Sequence, residues 1–194
     1  MGGRYITAED VGTSVRDMEW VRSETDYVVG ISRSLGGSGD PSVVTAYGVY
    51  IGIKACAKEK FNQNDLDGLK IAIQGLGHVG MYLVEYLSKH DVEIYVTDIN
   101  ENLVQQAVSK FDVNPVSTDE ILKLNVDILA PCALGAVIND ETIPQLNCKV
   151  VAGGANNVLK NAKIDGEMLK KRDILYAPDY AINCLLYTSP SPRD

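Results

Sequence analysis

Apolar positions follow two rhythms along the chain, and the change falls near Gly68. Before it the spacing is helical. Residues 14–24 predict one helix, with Val15, Met18 and Val21 on one face. A Gly- and Ser-rich loop covers 30–39, and Asp40-Pro41 reads as an N-cap followed by proline at the first helical position. A long helix follows to about residue 60, with Val44, Tyr47, Ile51 and Ala55 on one side, and polar residues 62–67 form a linker. After Gly68, short apolar runs at 69–74, 92–97, 126–130, 149–152 and 174–177 predict strands, with a weaker one at 114–116. Helical stretches at 78–89, 101–110 and 119–123 lie between them. Such alternation implies an α/β fold with a doubly wound parallel sheet.

One junction in this series carries chemistry. The first strand runs into Gly75-Leu76-Gly77-His78-Val79-Gly80, a helix opens on that loop, and Asp98 ends the next strand. In this setting the three glycines form a dinucleotide fingerprint. Gly75 serves the tight turn, Gly77 leaves room for a pyrophosphate, and Gly80 allows close helix–sheet packing. The pyrophosphate would rest on free N–H groups at the positive end of the helix. A carboxylate at Asp98 accepts hydrogen bonds from ribose hydroxyls and repels a 2′-phosphate, and Ile99-Asn100-Glu101-Asn102 supplies no cation to offset that repulsion. The expected cofactor is NAD. His78, inside the loop, is expected at a variable position with its ring exposed.

Composition narrows the function further. With 45% hydrophobic and 23% charged residues the chain is an ordinary globular protein. Its net charge of −8 argues against nucleic acid and anionic membrane as partners. No run reaches the roughly 18 apolar residues of a membrane span, the N-terminus lacks the apolar core of a signal peptide, and the expected location is cytoplasmic. Cys56, Cys132, Cys148 and Cys184 stand singly beside only two histidines, so neither a metal site nor a disulfide framework is expected.

Further stretches point to one family. They are Gly3-Arg4-Tyr5-Ile6-Thr7-Ala8-Glu9-Asp10-Val11-Gly12-Thr13, Gly36-Gly37-Ser38-Gly39-Asp40, Thr45-Ala46-Tyr47-Gly48-Val49, the glycine loop, Ala130-Pro131-Cys132-Ala133-Leu134-Gly135, Gly154-Ala155-Asn156-Asn157 and Tyr176-Ala177-Pro178-Asp179-Tyr180. In this order they resemble the Glu/Leu/Phe/Val amino-acid dehydrogenases, most nearly the leucine-type members. The resemblance implies reversible NAD-dependent oxidative deamination of L-leucine or another branched-chain L-amino acid to the 2-oxo acid and ammonia, by a homo-oligomer.

Under that resemblance Asp10 is the catalytic aspartate that exchanges a proton with the substrate amine; from the residues alone it reads equally as a helix cap. Thr45 and Asn156 would face the nicotinamide, with Asn157 in support; in the other reading the two asparagines make a turn after a strand. Cys132 and Ala133 would form the turn beneath the adenosine ribose, with Cys132 a buried filler rather than a nucleophile. Asn183 would lie near the substrate. Residues 1–30 are expected to be a short remnant of an N-terminal substrate domain with its hinge, and 31–183 the Rossmann domain that binds NAD. Residues 184–194, Cys-Leu-Leu-Tyr-Thr-Ser-Pro-Ser-Pro-Arg-Asp, look like a translated library adapter and are expected to be non-native. The family's two substrate-side lysines lie upstream of the aspartate, and no lysine precedes Lys54 here. The chain is therefore expected to be truncated at both ends and inactive by itself; leucine-dependent NADH production by the purified 194-residue chain would contradict this.

Overall fold

The computed structural model describes residues 3–10, 12–133 and 135–183. The expectation for residues 184–194 lies outside them. Six strands form one sheet: β1 Lys70–Gln74, β2 Glu93–Thr97, β3 Asn114–Pro115, β4 Ile128–Pro131, β5 Val150–Val151 and β6 Leu175–Tyr176. Their order is β3-β2-β1-β4-β5-β6, and every pairing is parallel. This is the doubly wound Rossmann arrangement expected from the alternation.

Parallel neighbours require crossovers, and crossovers cover both faces of the sheet. The period-2 side-chain alternation divides the core accordingly. Ile71, Ile73, Ile94, Val96, Ile128, Ala130 and Val150 join one buried cluster. Three helices cover it: α2 (Ser42–Phe61), α3 (His78–Leu87) and α4 (Glu101–Lys110), through residues such as Val49, Ile53, Leu83, Val84, Leu87 and Ala107. Ala72, Leu129 and Val151 point the other way, against Ile121, Ile143, Leu146 and Leu169. The first two of those covering segments are single 3-10 turns, Ile121–Lys123 and Ile143–Gln145, and Leu169 belongs to α5 (Ala162–Lys171). Ahead of the sheet, α1 (Val15–Glu24) buries Met18 in a small separate cluster with Val28 and Ile31. There Thr7 bridges Val28 in a parallel pairing.

Several expectations change. The side of α2 carrying Val44, Tyr47, Ile51 and Ala55 is exposed, and the buried side is Ala46, Val49, Ile53, Cys56 and Ala57. The helix is apolar on both sides, so spacing alone does not select the packed one; small residues do, because they let α2 lie close to α3 and the sheet. The helix starts one residue later than read, at Ser42 with Pro41 in the cap position, while Asp40 Oδ1 accepts the Ser42 N–H at 2.8 Å as a capping side chain does. The helix expected at 119–123 shortens to the 3-10 turn at Ile121–Lys123. Helix α5 has no counterpart in the sequence reading. Its buried residues are Asp165 and Leu169 alone, and Gly166 interrupts it, so the apolar stripe is too thin to see. It is fixed instead by reciprocal capping. Asn161 Oδ1 accepts the Ile164 N–H at 3.1 Å, and Asp165 Oδ2 accepts the Asn161 N–H at 2.6 Å.

Leu83 is fully buried on α3 between α2 and the sheet. Leu83→Ala is expected to lower unfolding free energy by about 2–5 kcal/mol through lost burial and the cavity left behind, as read by urea denaturation.

Candidate functional site

In an open parallel sheet, ligands collect outside the carboxyl ends of the strands, where neighbouring strands send their connections in opposite directions. Here that point lies between β1 and β4. Backbone hydrogen bonds stitch the loops there together. The Cys132 N–H donates to Gln74 O at 2.7 Å, the Gly75 N–H to Thr97 O at 2.8 Å, and the Ala155 N–H to Pro131 O at 2.9 Å.

Gly75 turns the chain out of β1 with φ +98°, and a Cβ there would stand 2.8 Å from the Ala133 nitrogen. No side chain fits in that gap. At Gly80 a Cβ would collide with the Gly75 carbonyl oxygen, so α3 sits against the turn that precedes it. Gly77 is different: it is exposed, and a Cβ there would meet nothing within 4 Å. It forms the N-cap of α3, no side chain caps that end, and the first turn carries no acidic residue. The amides of His78, Val79 and Gly80 thus open an uncapped helix end next to empty space, the donor set that suits a pyrophosphate. Leu76 is buried beneath the loop, and Val79 lies half-buried.

Asp98 has a structural task that the sequence reading did not assign. Its Oδ2 accepts the Leu76 N–H at 2.6 Å, and its Oδ1 accepts the Asn100 N–H at 2.8 Å. The carboxylate therefore clamps the end of β2 to the glycine loop. An ionised carboxylate has about four acceptor positions, so two remain for a ligand. Ile99 beside it is 94% exposed.

The remaining expected residues fall on the same edge or on the elements flanking it. Cys132 and Ala133 form the turn after β4, with Ala133 exposed. Burial pushes the Cys132 thiol up to about 11, against a small opposing pull from the Gly154 N–H; this fits a filler and not a nucleophile. Asn156 and Asn183 meet directly: Asn183 Nδ2 donates to Asn156 Oδ1 at 2.8 Å and to Gly154 O at 3.0 Å. Asn157 takes the left-handed conformation, φ +51°, and its N–H donates to Asp179 Oδ2 at 2.6 Å. Asp179 opens the short helix α6 (Asp179–Ile182). Thr45 is half-buried on α2, and its hydroxyl donates to Pro41 O at 3.2 Å.

Asp10 is exposed in a turn closed by Thr13: the Thr13 N–H donates to Asp10 O at 3.0 Å, and the Asp10 N–H donates to Thr13 Oγ1 at 2.8 Å. Its neighbour Glu9 reaches the glycine loop, with Oε1 3.5 Å from His78 Nδ1. Asp40 Oδ2 lies 3.9 Å from the same nitrogen. The His78 ring is exposed as expected, yet it is engaged by two carboxylates that sequence spacing did not connect to it. A surface concavity lined by Glu59, Lys60, Leu169, Asp173 and Tyr176 lies by the amino end of β6 and includes none of these residues.

Comparison with known proteins agrees with this geometry. The profile of the Glutamate/Leucine/Phenylalanine/Valine dehydrogenase family matches residues 36–107 and 93–184. A leucine dehydrogenase from Bacillus cereus is 54% identical over 183 residues, which are 94% of this chain and 50% of that protein. A solved structure of L-tryptophan dehydrogenase from Nostoc punctiforme is 41% identical and superposes with a TM-score of 0.77, over 93% of this chain and 51% of that one. The hetero-hexameric glutamate dehydrogenase of Thermus thermophilus, in its Leu-bound form, superposes with a TM-score of 0.73 at 21% identity, covering 92% of this chain and 47% of that one, a likeness of fold alone. The chain spans about half the length of the curated relatives it matches.

The three thiols, buried at Cys56 and Cys148 and half-buried at Cys132, give a direct check. Burial also pushes Cys148 up to about 11 and raises Cys56. In a Cys184→Ser background, a disulfide reagent at neutral pH is expected to label none of the three remaining cysteines until the chain is unfolded. Labelling of Cys132 in the native chain should appear only as pH nears 11, where its thiolate forms. Fast labelling at neutral pH that Cys132→Ser removes would contradict the filler role.

Proposed function

The chain belongs to the Glutamate/Leucine/Phenylalanine/Valine dehydrogenase family, and from that premise we propose that it supplies the NAD-binding site of an enzyme that oxidatively deaminates L-leucine or another branched-chain L-amino acid. The observation that carries the reading is the glycine loop clamped by Asp98 at the β1/β4 junction, with an uncapped helix end facing open space at Gly77.

NAD, when bound, supplies the acceptor for the hydride that leaves the substrate Cα. The chain's own residues bind and orient. The α3 amides and the positive helix end would hold the pyrophosphate. The two acceptor positions left on Asp98 would take the ribose hydroxyls, and the exposed Ile99 would offer an apolar surface to the adenine. Asn156, whose Oδ1 accepts from Asn183, and Thr45 on α2 would bind the nicotinamide end. Asp10 exchanges the proton of the substrate amine. The 54% identity to a leucine dehydrogenase supports leucine over a bulkier substrate.

Fluorescence titration with NADH and NADPH tests the cofactor reading. NADH is expected to bind at least about tenfold more tightly, because the 2′-phosphate would meet the Asp98 carboxylate. Asp98→Ala removes charge-assisted hydrogen bonds worth about 1.5–3 kcal/mol, so its NADH affinity should fall about tenfold or more. Equal affinity for the two dinucleotides, or an Asp98→Ala chain that binds NADH normally, would overturn the assignment.

A further inference from the structure

Glu9, Asp40 and His78 come from three distant parts of the chain: the loop ahead of α1, the start of α2 and the start of α3. One ligand atom from each lies within 4.8 Å of the other two. His78 Nδ1 is 3.5 Å from Glu9 Oε1 and 3.9 Å from Asp40 Oδ2. Ligands bound at about 2.1 Å from an ion at tetrahedral angles stand about 3.4 Å from one another, so the three atoms need to move by only small amounts to share one.

The chemistry of the cluster is unbalanced without a cation. The Glu9 side chain is 5% exposed, and its Oε2 is buried with no hydrogen-bond partner among the described residues. A buried carboxylate oxygen without a donor is costly. Burial and the facing Asp40 carboxylate push the Glu9 carboxyl above its ordinary range, with His78 pulling the other way. Asp40 is already oriented, because its Oδ1 holds the Ser42 N–H. Supporting hydrogen bonds of this kind aim a metal ligand. The His78 side chain is 61% exposed, which gives an ion a path from solvent. The positive end of α3 opposes a cation, but two carboxylates outweigh about half a unit charge.

We propose that Glu9, Asp40 and His78 form a binding site for one divalent transition-metal cation of the zinc type, held by one imidazole nitrogen and two carboxylates. Mixed nitrogen and oxygen ligands suit Zn2+, Co2+ or Mn2+ rather than a thiolate-selective ion. The three protein ligands leave one coordination position open to solvent. The site ties the loop carrying Asp10 to the glycine loop. It stands on geometry alone and does not require that a dinucleotide bind.

The test is calorimetric titration of the chelator-treated 194-residue chain with Zn2+, repeated with Glu9→Gln and Asp40→Asn. These isosteric amides each remove one charge. The expected result is saturable binding of one Zn2+ per chain, with affinity falling at least about tenfold in each variant. Co2+ substitution should give visible d–d absorption without thiolate charge-transfer bands. Circular dichroism checks that each variant is folded, and His78→Gln replaces any variant that is not. Absence of saturable binding, full retention of binding in folded variants, or thiolate bands would overturn the proposal. The first of these outcomes would leave the cluster as a simple contact of His78 with the two acids.

Discussion

Close backbone approach at the carboxyl edge of the sheet constrains the rest of this structure. β1 and β4 are neighbours, yet their connections leave toward opposite faces, so the turn at Gly75 must pass against the turn at Cys132 and Ala133. No side chain fits between them. The same constraint seats α3 on the Gly75 carbonyl and leaves its first amides pointing outward at Gly77. The bond from Leu76 to Asp98 then fixes the loop laterally to β2. One carboxylate does two jobs, holding the cradle in shape and keeping acceptor positions for what the cradle would bind.

Sequence reading reaches this edge because its rules are local. A strand, a glycine loop, a helix and an acid at the end of the next strand occupy residues 70–98, and each part is recognisable from its neighbours. The same reading fails where burial is decided by distant packing. The two apolar sides of α2 are indistinguishable in one dimension, and the buried one is chosen by the small residues that admit α3. Helix α5 buries a capping aspartate and one leucine, so its stability rests on hydrogen bonds at its start and not on an apolar stripe. The Glu9–Asp40–His78 cluster is invisible for the same reason. Spacing rules look for ligands along one element, whereas these three meet only after the loop before α1 folds onto the starts of α2 and α3.

The partial legibility of the site has a physical pattern. Positions that need a missing side chain, such as Gly75 and Gly80, can be read because few residues satisfy them. Positions that need a particular partner cannot. Asn156 is recognisable only as a turn residue or by resemblance, yet its environment is defined by Asn183, 27 positions later. The sequence marks Asp98 as a candidate ribose ligand, yet its bond to the Leu76 amide requires β1 and β2 to be paired in register, Gln74 beside Thr97.

The contact between Asn156 and Asn183 also shows how separate elements act as one wall of the site. Ile182, one residue earlier, is buried and lies so near Gly52 of α2 that a side chain there would collide with it. Helix α6 is thereby wedged between α2 and the loop after β5. Any displacement of α6 must move Asn183 away from Asn156 and open the Ile182 contact together. Interiors packed at crystal-like density resist such coupled shifts. Thr45 on α2, Asn156 on the loop and Asn183 just after α6 are therefore held by one packed unit, whereas Asp10 stands on a segment joined to the glycine loop through Glu9 and His78. Motion between these two groups of residues would turn on that carboxylate–imidazole contact, and the charge balance of Glu9, Asp40 and His78 would set how firmly it closes.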